Sequence, residues 1–512
     1  MATNTFSHGI ASGDPLADRV VLWTAVSGAE GDVPVRWRVA HDRALSQVVA
    51  EDTAVATAAA DHTVHVDVTG LEPATTYFYG FQVGEELSPI GRTKTLPTGA
   101  VERARFAMVS CAKFNAGYFN AYDRIADRAN DGDIDFLLHL GDYIYEAAQN
   151  PPPPQTPGAD IGRPFDPLDE CITLDDYRTR YRQYHLDPMV QNMHASVALI
   201  ATLDDHEFAD GAWREGADNH TEAAFGPWSV RKAAAFQARE EWLPIRRPDP
   251  DDPTRVFRSV PLGDLADLVL TDARSRRDQP VPAPAMDAPE RTALGAEQRA
   301  WFIDTMKAST AAWRLWGNPS VISSTFTPDL PDDLVPAMLK LKLCNPEGTA
   351  VDHDQWDGYP AEKDAVLAEL EALPEHNLVV LSGDIHVGLA CELHRDPFAS
   401  AESAIPAIGV ELVTASITSQ NLDDKLHYPY GGSRTAEQRF VETFPHAAWT
   451  DFDGHGYVLV DVDHDRLEGQ WWFVGAVLEP DATEFCAASY QVERGTARLV
   501  PVATPNGTPV TV

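Results

Sequence analysis

Residues 136–146, FLLHLGDYIYE, join an apolar run directly to a Gly-Asp pair, two tyrosines and a glutamate. A continuous apolar run is typical of a buried parallel strand, and the ligands of open α/β sheets gather beyond the carboxyl ends of such strands. Asp142 therefore stands where a metal-binding carboxylate is useful. The stretch predicts a layered α/β fold with a metal site at one edge of a sheet.

Three further apolar runs end in side chains that bind metals. They are RFAMVSC (105–111) with Cys111, SVALIATLDDH (196–206) with Asp204, Asp205 and His206, and NLVVLSGDIH (377–386) with Asp384 and His386. A single Gly-Asp after a strand is usually a turn or a helix N-cap. Four strands that all end in ligand-type side chains instead predict one metal centre. Its oxygen ligands, imidazole and thiolate suit iron, manganese, zinc or calcium better than copper.

The charge balance argues against several classes of partner. The 512 residues carry 78 Asp and Glu against 40 Lys and Arg, a net charge of −38. Such a field repels nucleic acid phosphates and anionic membranes, so no stable nucleic-acid partner is expected. No apolar run approaches the roughly 20 residues of a membrane span. The five cysteines are too few for a disulfide scaffold, although up to two bridges remain open.

The N-terminal stretch MATNTFSHGIASGDP lacks the basic and apolar regions of a signal peptide. A cytoplasmic location and a removed export leader both remain open. The sequence predicts no oligomeric state.

Residues 1–100 are expected to form a β-sandwich of the fibronectin or immunoglobulin kind. The stretches 19–26, 33–42 and 62–70 alternate polar and apolar side chains, as half-buried strands do. GLEPATTYFYGFQVG (70–84) then gives a turn and a tyrosine-rich strand, which resembles the corner at which a tyrosine hydroxyl ties a loop to its strand. An ordinary hairpin is the alternative for that segment.

Residues 101–512 are expected to form an α/β sandwich with a C-terminal extension, because strands now alternate with helical stretches. Helices are predicted at 117–131, 296–309 and 361–373, and strands at 409–420, 456–463 and 467–475 are expected to complete a second sheet. The Pro-rich stretch NPPPPQTPG (150–158) is predicted to be a loop. It is either a wall or lid of the site or a plain surface excursion.

Taken together, these segments resemble the PhoD-type alkaline phosphatases, a branch of the calcineurin-like metallophosphoesterases. The resemblance is carried, in this order along the chain, by FSHGIASGDP (6–15), VSCAKFNAGYFNAY (109–122), HLGDYIYE (139–146), LDDHEFAD (203–210), DARSRRD (272–278), DQWDGYPAEKDAVL (354–367) and LSGDIHVG (381–388). It implies a β-sandwich followed by a catalytic core of αββα layers.

The resemblance also implies a ligand set for two kinds of cation. The ferric ligands it implies are Cys111, Asp142, Tyr145 and His386, and the calcium ligands are Asp142, Asp204, Asp205 and Asp384. Thiolate and phenolate favour Fe(III) and carboxylates suit Ca²⁺, while Mn²⁺ or Zn²⁺ remains compatible with the same side chains. Without the resemblance, the simpler interpretation is that Tyr145 is a packed aromatic ring and Cys111 a small buried hydrophobic residue.

Two kinds of side chain are expected to act on the substrate. His206 either protonates the leaving oxygen or steadies Asp205. Arg274 and Arg277 either grip phosphate oxygens or pair with nearby acids. The asparagine common after the DDHE motif is absent from FADGAW (208–213). Asn219 and His220 are the candidates to replace it as a calcium ligand.

The activity implied is metal-dependent hydrolysis of phosphate esters, as an alkaline phosphatase or phosphodiesterase, with a metal-bound hydroxide attacking phosphorus. A phospholipase D-like or nucleic-acid phosphodiesterase on the same fold is one alternative, and a catalytically inactive secreted binding protein is another. The resemblance implies a secreted or periplasmic enzyme.

Overall fold

Three β-sheets organise the residues that the computed structural model describes, which are 4–149, 161–325, 330–344, 353–399 and 405–505. The predicted loop at 150–158 lies outside the described residues. The strands are β1 (Ile10–Gly13), β2 (Arg19–Ala25), β3 (Val33–Ala40), β4 (Val48–Ala56), β5 (Thr63–Thr69), β6 (Thr76–Val83), β7 (Glu86–Leu87), β8 (Gly91–Lys94), β9 (Arg103–Val109), β10 (Phe136–His139), β11 (Leu199–Ala201), β12 (Arg258–Leu262), β13 (Ala266–Leu270), β14 (Trp313–Gly317), β15 (Leu378–Ser382), β16 (Gly388–Leu393), β17 (Gly409–Val413), β18 (Ala447–Asp451), β19 (Gly456–Asp463), β20 (Arg466–Val474), β21 (Glu484–Glu493) and β22 (Leu499–Pro501).

Helices lie between and after these strands, and those predicted at 117–131, 296–309 and 361–373 are confirmed as α1, α6 and α8. The helices are α1 (Asn120–Asn130), α2 (Leu174–His185), α3 (Pro188–Ser196), α4 (Glu222–Phe225), α5 (Trp228–Trp242), α6 (Ala296–Ala308), α7 (Val335–Lys340), α8 (Pro360–Glu371), α9 (Leu422–Leu426) and α10 (Arg434–Thr443). Among the described residues, no helix combines the length and the apolar character that a membrane span requires.

The first two sheets pack face to face, and helices cover their outer faces. The first has the order β22-β21-β20-β19-β9-β10-β11-β1-β2-β5, and the second has the order β12-β13-β14-β15-β17-β16-β18. Along β9, Phe106 and Met108 point into the apolar layer between the sheets, whereas Ala107 and Val109 pack against the helical side with Tyr122. This period of two gives the αββα layers that the sequence predicts.

Parallel strands at the centre of each sheet bring their carboxyl ends to a common edge. Strands β9, β10 and β11 run parallel in the first sheet, and β13, β14, β15 and β17 run parallel in the second. A bridge between Ser110 and Ser416 joins the two edges. The loops after these strands therefore converge on one place.

The sheet assignment of two late strands differs from the prediction. Strand β17 lies in the second sheet as expected, but β19 pairs antiparallel with β9 and β20 pairs with β19, so both extend the first sheet. An apolar run indicates that a strand is buried, but it does not indicate which of two packed sheets the strand joins.

The N-terminal residues form a sandwich that shares one of its layers with the core. The sheet of β4-β3-β6-β7, with β8 beside β6, packs its Val35 and Tyr79 against Leu22 of the first sheet. The predicted tyrosine corner is confirmed, because the Glu72 backbone N–H donates to the Tyr77 hydroxyl at 2.9 Å. Strand β1 pairs parallel with β11, so the first sheet runs from one part into the other. The division at residue 100 stays a prediction.

Candidate metal centre

Four predicted ligands lie on loops that follow strands, and the backbone of each of these residues is in the left-handed region. The φ angles are 60° at Cys111, 56° at Asp142, 69° at Asp384 and 61° at His386. Non-glycine residues avoid this region, at a cost of about 1–3 kcal/mol each, and such strain clusters at functional sites. The strain turns each side chain from the strand end towards the common edge of the sheets.

Gly141 allows two of these loops to meet. Its φ is 102°, and a Cβ atom there would lie 2.4 Å from the Asp204 backbone nitrogen. Any other residue would therefore push the loop of Asp142 away from the loop of Asp204.

The predicted ligand atoms converge. One group contains Cys111, Asp142 and His386, a second contains Asp142, Asp205 and His206, and a third contains Asp142, Asp204, Asp205 and Asp384, with the ligand atoms of each group within 4.8 Å of one another. Asp142 belongs to all three groups, so it lies where a bridging carboxylate would stand. Four strand-end loops from across the chain thus supply one compact cluster.

Tyr145 lies between the first group and the rest of the cluster. Its hydroxyl donates to Asp142 Oδ2 at 2.7 Å and lies 3.3 Å from His386 Nε2, and it accepts a hydrogen bond from Ser419 Oγ at 2.6 Å. The carbonyl oxygen of Gln420 accepts a hydrogen bond from His386 Nδ1 at 3.0 Å. The lone pair of Nε2 is therefore the one left to bind a metal. A phenol oxygen and an imidazole nitrogen therefore face the same place as the Cys111 thiol.

The electrostatics of these groups suit a bound cation. Burial raises the pKa of the Cys111 thiol well above its usual value, and the charge of Asp142 raises it further. Burial also raises the pKa of Asp142 and of Asp204, and neighbouring carboxylates add to it. Three buried carboxylates and the half-buried Asp384, held together, repel one another unless positive charge lies among them. The donor set, with oxygen, thiol, phenol and imidazole groups, fits hard di- and trivalent cations.

Arg274 supplies part of that positive charge. Its side chain has no exposed surface and donates to carboxylate oxygens of Asp204, Asp354 and Asp384. Arg274 does pair with acids, but within a fully buried network and not on the surface as that alternative expected. Its donors are directed at carboxylates, and it does not line the cavity described below. A direct grip on phosphate stays a prediction, and this geometry favours a role through the carboxylates.

Arg277, like Arg274, donates hydrogen bonds to Asp354. It donates to Asp354 Oδ1 at 2.6 Å, to the Asp354 carbonyl oxygen at 2.7 Å and to the Ala212 carbonyl oxygen at 2.8 Å. These bonds fix the segment that carries Asp354 rather than a substrate.

His206 faces the cavity while a buried glutamate holds its other side. Glu146 Oε2 lies 2.7 Å from His206 Nδ1, and the ring packs against Tyr145 with centroids 4.0 Å apart. Burial opposes protonation, yet the charges of Asp142 and Glu146 raise the pKa of His206 well above its usual value. The imidazole therefore lines the cavity with its Nδ1 held by Glu146, and its role as a proton donor stays a prediction.

Two glutamates of the site have no role in the sequence prediction. Glu207 accepts the backbone N–H groups of Asp142 at 3.0 Å, Tyr143 at 2.6 Å and Asp204 at 2.6 Å, so it clamps two ligand loops together. Glu146 accepts from His206 and from the Asp210 backbone N–H at 2.7 Å. Both stand inside the motifs that carry the ligands, but a motif does not reveal which carboxylates bind cations and which bind amides.

Asn219 and His220, the two candidates to replace the missing asparagine, differ in their contacts. Asn219 Nδ2 donates to Glu146 at 3.2 Å, and its Oδ1 is buried without a partner among the described residues. His220 Nε2 instead contacts the Gly226 carbonyl oxygen at 3.1 Å and packs on Trp228. Asn219 therefore remains a candidate ligand, and His220 is held elsewhere.

The cluster opens into a cavity of about 640 Å³, large enough for a substrate of moderate size. Its lining includes Asp142, Asp205, His206, Asp384 and His386. Four of the predicted metal ligands, Asp142, Asp205, Asp384 and His386, thus line a solvent-reachable pocket.

Comparison with known proteins agrees with this site. The family model described as PhoD-like phosphatase matches residues 106–471, and that of its N-terminal domain matches residues 1–97. The chain is 33% identical to alkaline phosphatase D of Bacillus subtilis (strain 168) over 510 residues, which covers 96% of this chain and 81% of that protein.

Solved structures show the same fold. A structure described as PhoD aligns with a TM-score of 0.83 at 30% identity and covers 98% of this chain and 93% of that chain. The purple acid phosphatase PPD1 of yellow lupin (Lupinus luteus) seeds aligns with a TM-score of 0.52 at 12% identity over 95% of this chain and 73% of that chain, which shows the fold alone. The chain belongs to the PhoD-like phosphatase family.

Proposed function

We propose that the converging strand-end loops hold a ferric ion and calcium ions, and that this centre hydrolyses phosphate esters. Family membership makes the chain a metal-dependent phosphoester hydrolase. The observation that carries the metal assignment is that Asp142 belongs to three overlapping groups, within each of which the ligand atoms lie within 4.8 Å of one another.

The ligands divide by chemistry. Cys111, Tyr145 and His386 would hold the ferric ion with Asp142, because thiolate and phenolate are strong anionic donors. Asp204, Asp205 and Asp384 would hold calcium with Asp142, because carboxylates are the ligands that calcium prefers. Manganese or zinc in either place is the alternative. When bound, such cations lower the pKa of water and neutralise charge on the phosphate oxygens.

His206 is the proposed proton donor to the leaving group. It lines the cavity, its Nδ1 is held by Glu146, and the charges of Asp142 and Glu146 raise its pKa against the effect of burial, which favours the protonated imidazole. As water oxygen bonds to phosphorus and the ester P–O bond breaks, Nε2 gives its proton to the departing oxygen.

Arg274 is proposed as a positioning residue. Its contacts to Asp204 and Asp384 hold the two carboxylates at a fixed separation. A lysine ammonium lacks the planar, forked donors of a guanidinium and would not bind both carboxylates at once.

The direct test is hydrolysis of p-nitrophenyl phosphate and bis-p-nitrophenyl phosphate before and after removal of metals by a chelator. Activity should disappear on chelation and return with iron plus calcium, and the ratio of the two rates gives the preference for monoesters or diesters. Turnover that survives complete metal removal would refute the proposal.

Tyr145→Phe tests the ferric assignment separately. A phenolate bound to Fe(III) gives a visible charge-transfer band, so the variant should lose the colour of the wild-type enzyme. A colour that stays unchanged in Tyr145→Phe would remove Tyr145 from the ligand set.

A location outside the cytoplasm is also proposed, on family resemblance alone. Fractionation of cells that express the natural gene would test it, and activity confined to the cytoplasm would refute it.

A further inference from the structure

Three lysines gather at the mouth of the metal centre. Lys342 and Lys425 line the cavity, and the ammonium of Lys113 stands over the Tyr145 ring, 5.3 Å from its centroid. Only eight of the chain's 40 basic residues are lysines. Two of these eight line one cavity and a third stands over the ring of a predicted ligand, a concentration that the composition does not lead one to expect.

Separate parts of the chain deliver these lysines, which are called the lysine group below. Lys113 follows the ligand Cys111 by two residues, and Lys425 stands in the last turn of α9. Lys342 lies in the turn after α7, where its φ of 64° puts it in the left-handed region. Lys425 Nζ donates to the carbonyl oxygen of Lys340, the last residue of α7, at 3.1 Å, which ties α9 to the end of α7.

The lysine group has unused hydrogen-bonding capacity. Among the residues that the structure describes, none of its three ammonium groups forms an ion pair, in a chain whose net charge is −38. Three other lysines do pair, in the contacts Lys94–Asp135, Lys307–Glu369 and Lys363–Asp357. An ammonium offers three donors, and Lys425 uses one of them within the described chain.

Mutual repulsion also marks the lysine group. Burial and the charges of Lys342 and Lys113 lower the pKa of Lys425 to about 8. Like charges held close without a counterion are unfavourable, and a bound anion relieves the repulsion. Lys342 also feels the acids of the centre, since Asp210 and Asp205 raise its pKa.

The cavity has room for more than the reacting phosphate. Its volume of about 640 Å³ lies within the range of pockets that enclose whole small ligands. Leu341, Pro280 and Pro282 add apolar wall beside the charged groups. A leaving group can therefore lie in the same cavity as the phosphate that reacts.

We propose that Lys113, Lys342 and Lys425 form a second anion subsite, so that the preferred substrates are phosphate esters whose leaving group carries another anionic group. The inference rests on the proposed function, because it assigns the reacting phosphate to the metal centre. Cations at the carboxylates take one anion, and the lysine group takes the other. In hydrolysis the ester P–O bond breaks, and the distal anion stays with the lysines until the product leaves.

The test compares two substrates that share one leaving chain, n-butyl phosphate and 1,4-butanediol bisphosphate, on the metal-loaded enzyme. The measured quantity is the ratio of kcat/KM for the bisphosphate to that for the monophosphate. The wild-type ratio should exceed about ten, since a hydrogen bond to a charged group contributes about 1.5–3 kcal/mol. Raising the salt concentration should lower the ratio.

Variants then assign the preference to the lysine group. Lys342→Gln and Lys425→Gln should each lower the ratio about tenfold, and Lys425→Arg should keep most of it, because the charge is retained. Lys307→Gln is the matched control, since Lys307 is half exposed and pairs with Glu369 away from the cavity. An unchanged ratio in both lysine variants, or a wild-type ratio near one, would overturn the inference.

Binding separates this inference from the proposed function. Calorimetry with butylphosphonate and 1,4-butanediyl bisphosphonate, neither of which is hydrolysed, measures the same preference without turnover. An enzyme that is inactive on both esters but prefers the bisphosphonate through Lys342 and Lys425 would refute hydrolysis and support the subsite. Equal affinity for the two phosphonates would refute the subsite, whatever the activity.

Discussion

Glu207 offers a sharp test of how the ligand loops are held, through the variant Glu207→Gln. Its Oε2 accepts the backbone N–H groups of Asp142 and Asp204, and its Oε1 accepts that of Tyr143. A glutamine keeps an oxygen on one side only. Its NH₂ group would then face the N–H of Tyr143 or those of both aspartates.

The expected loss follows from these three bonds. Two charge-assisted bonds become neutral ones, and one buried N–H is left without an acceptor at a cost of about 1–3 kcal/mol. We therefore expect Glu207→Gln to lower the unfolding free energy of the metal-loaded protein by about 3 kcal/mol. Because the clamp sets the separation of the two loops, metal affinity should also fall about 10–100-fold.

Urea unfolding and elemental analysis of the purified variant measure both effects. The matched control is Glu369→Gln, which removes a half-exposed glutamate paired with Lys307 and should change stability by less than about 1 kcal/mol. If Glu207→Gln unfolds at the same urea concentration as this control and keeps its full metal content, the clamp is not what holds the loops.

Three further changes have defined outcomes. Arg274→Gln should destabilise the metal-free protein by about 3–5 kcal/mol, since it leaves buried carboxylates uncompensated, whereas Arg439→Gln on the exposed surface should have almost no effect; equal unfolding midpoints for the two variants would contradict this. The pKa of Glu146 is lowered to about 2, against burial, by the charge of His206 and its hydrogen bond. Glu146 therefore stabilises the metal-free protein above pH 4.5, and this contribution of about 3 kcal/mol is lost as the pH falls towards 2. The difference in unfolding free energy between wild type and Glu146→Gln should accordingly shrink between pH 6 and pH 3, and a constant difference would disprove the assignment. Cys111→Ser should lower the iron content by more than about tenfold and leave calcium bound; unchanged iron would exclude the thiolate as a ligand.

Much of the fold follows from local patterns in the sequence. The apolar runs that end in Cys111, Asp142, Asp205 and Asp384 are strands of two packed sheets, and the carboxyl ends of parallel strands meet at one edge. Ligand-type residues at such ends therefore predict a shared site before any coordinates are known. The positive φ angles of these residues add a physical reason, because the strained loops turn the side chains together.

The sequence did not predict which strands pair with one another or which distant carboxylates surround a buried arginine. The run of β19 has the same buried character in either sheet, so its place beside β9 depends on long-range packing. The burial of Arg274 among three acids depends on Asp354, which stands 80 residues away. Convergence of Lys342 and Lys425 likewise arises from the contact between α9 and the last residue of α7.

The central claim is that one carboxylate, Asp142, joins the groups of the cluster into a single metal-dependent catalytic centre. Elemental analysis and p-nitrophenyl phosphate hydrolysis should be measured together on the wild type, on Asp142→Asn and on Asp131→Asn, which alters an exposed aspartate at the end of α1. The account predicts that Asp142→Asn loses bound iron and calcium along with nearly all activity, while Asp131→Asn keeps both. An Asp142→Asn enzyme that retains full metal content and full hydrolysis would contradict it.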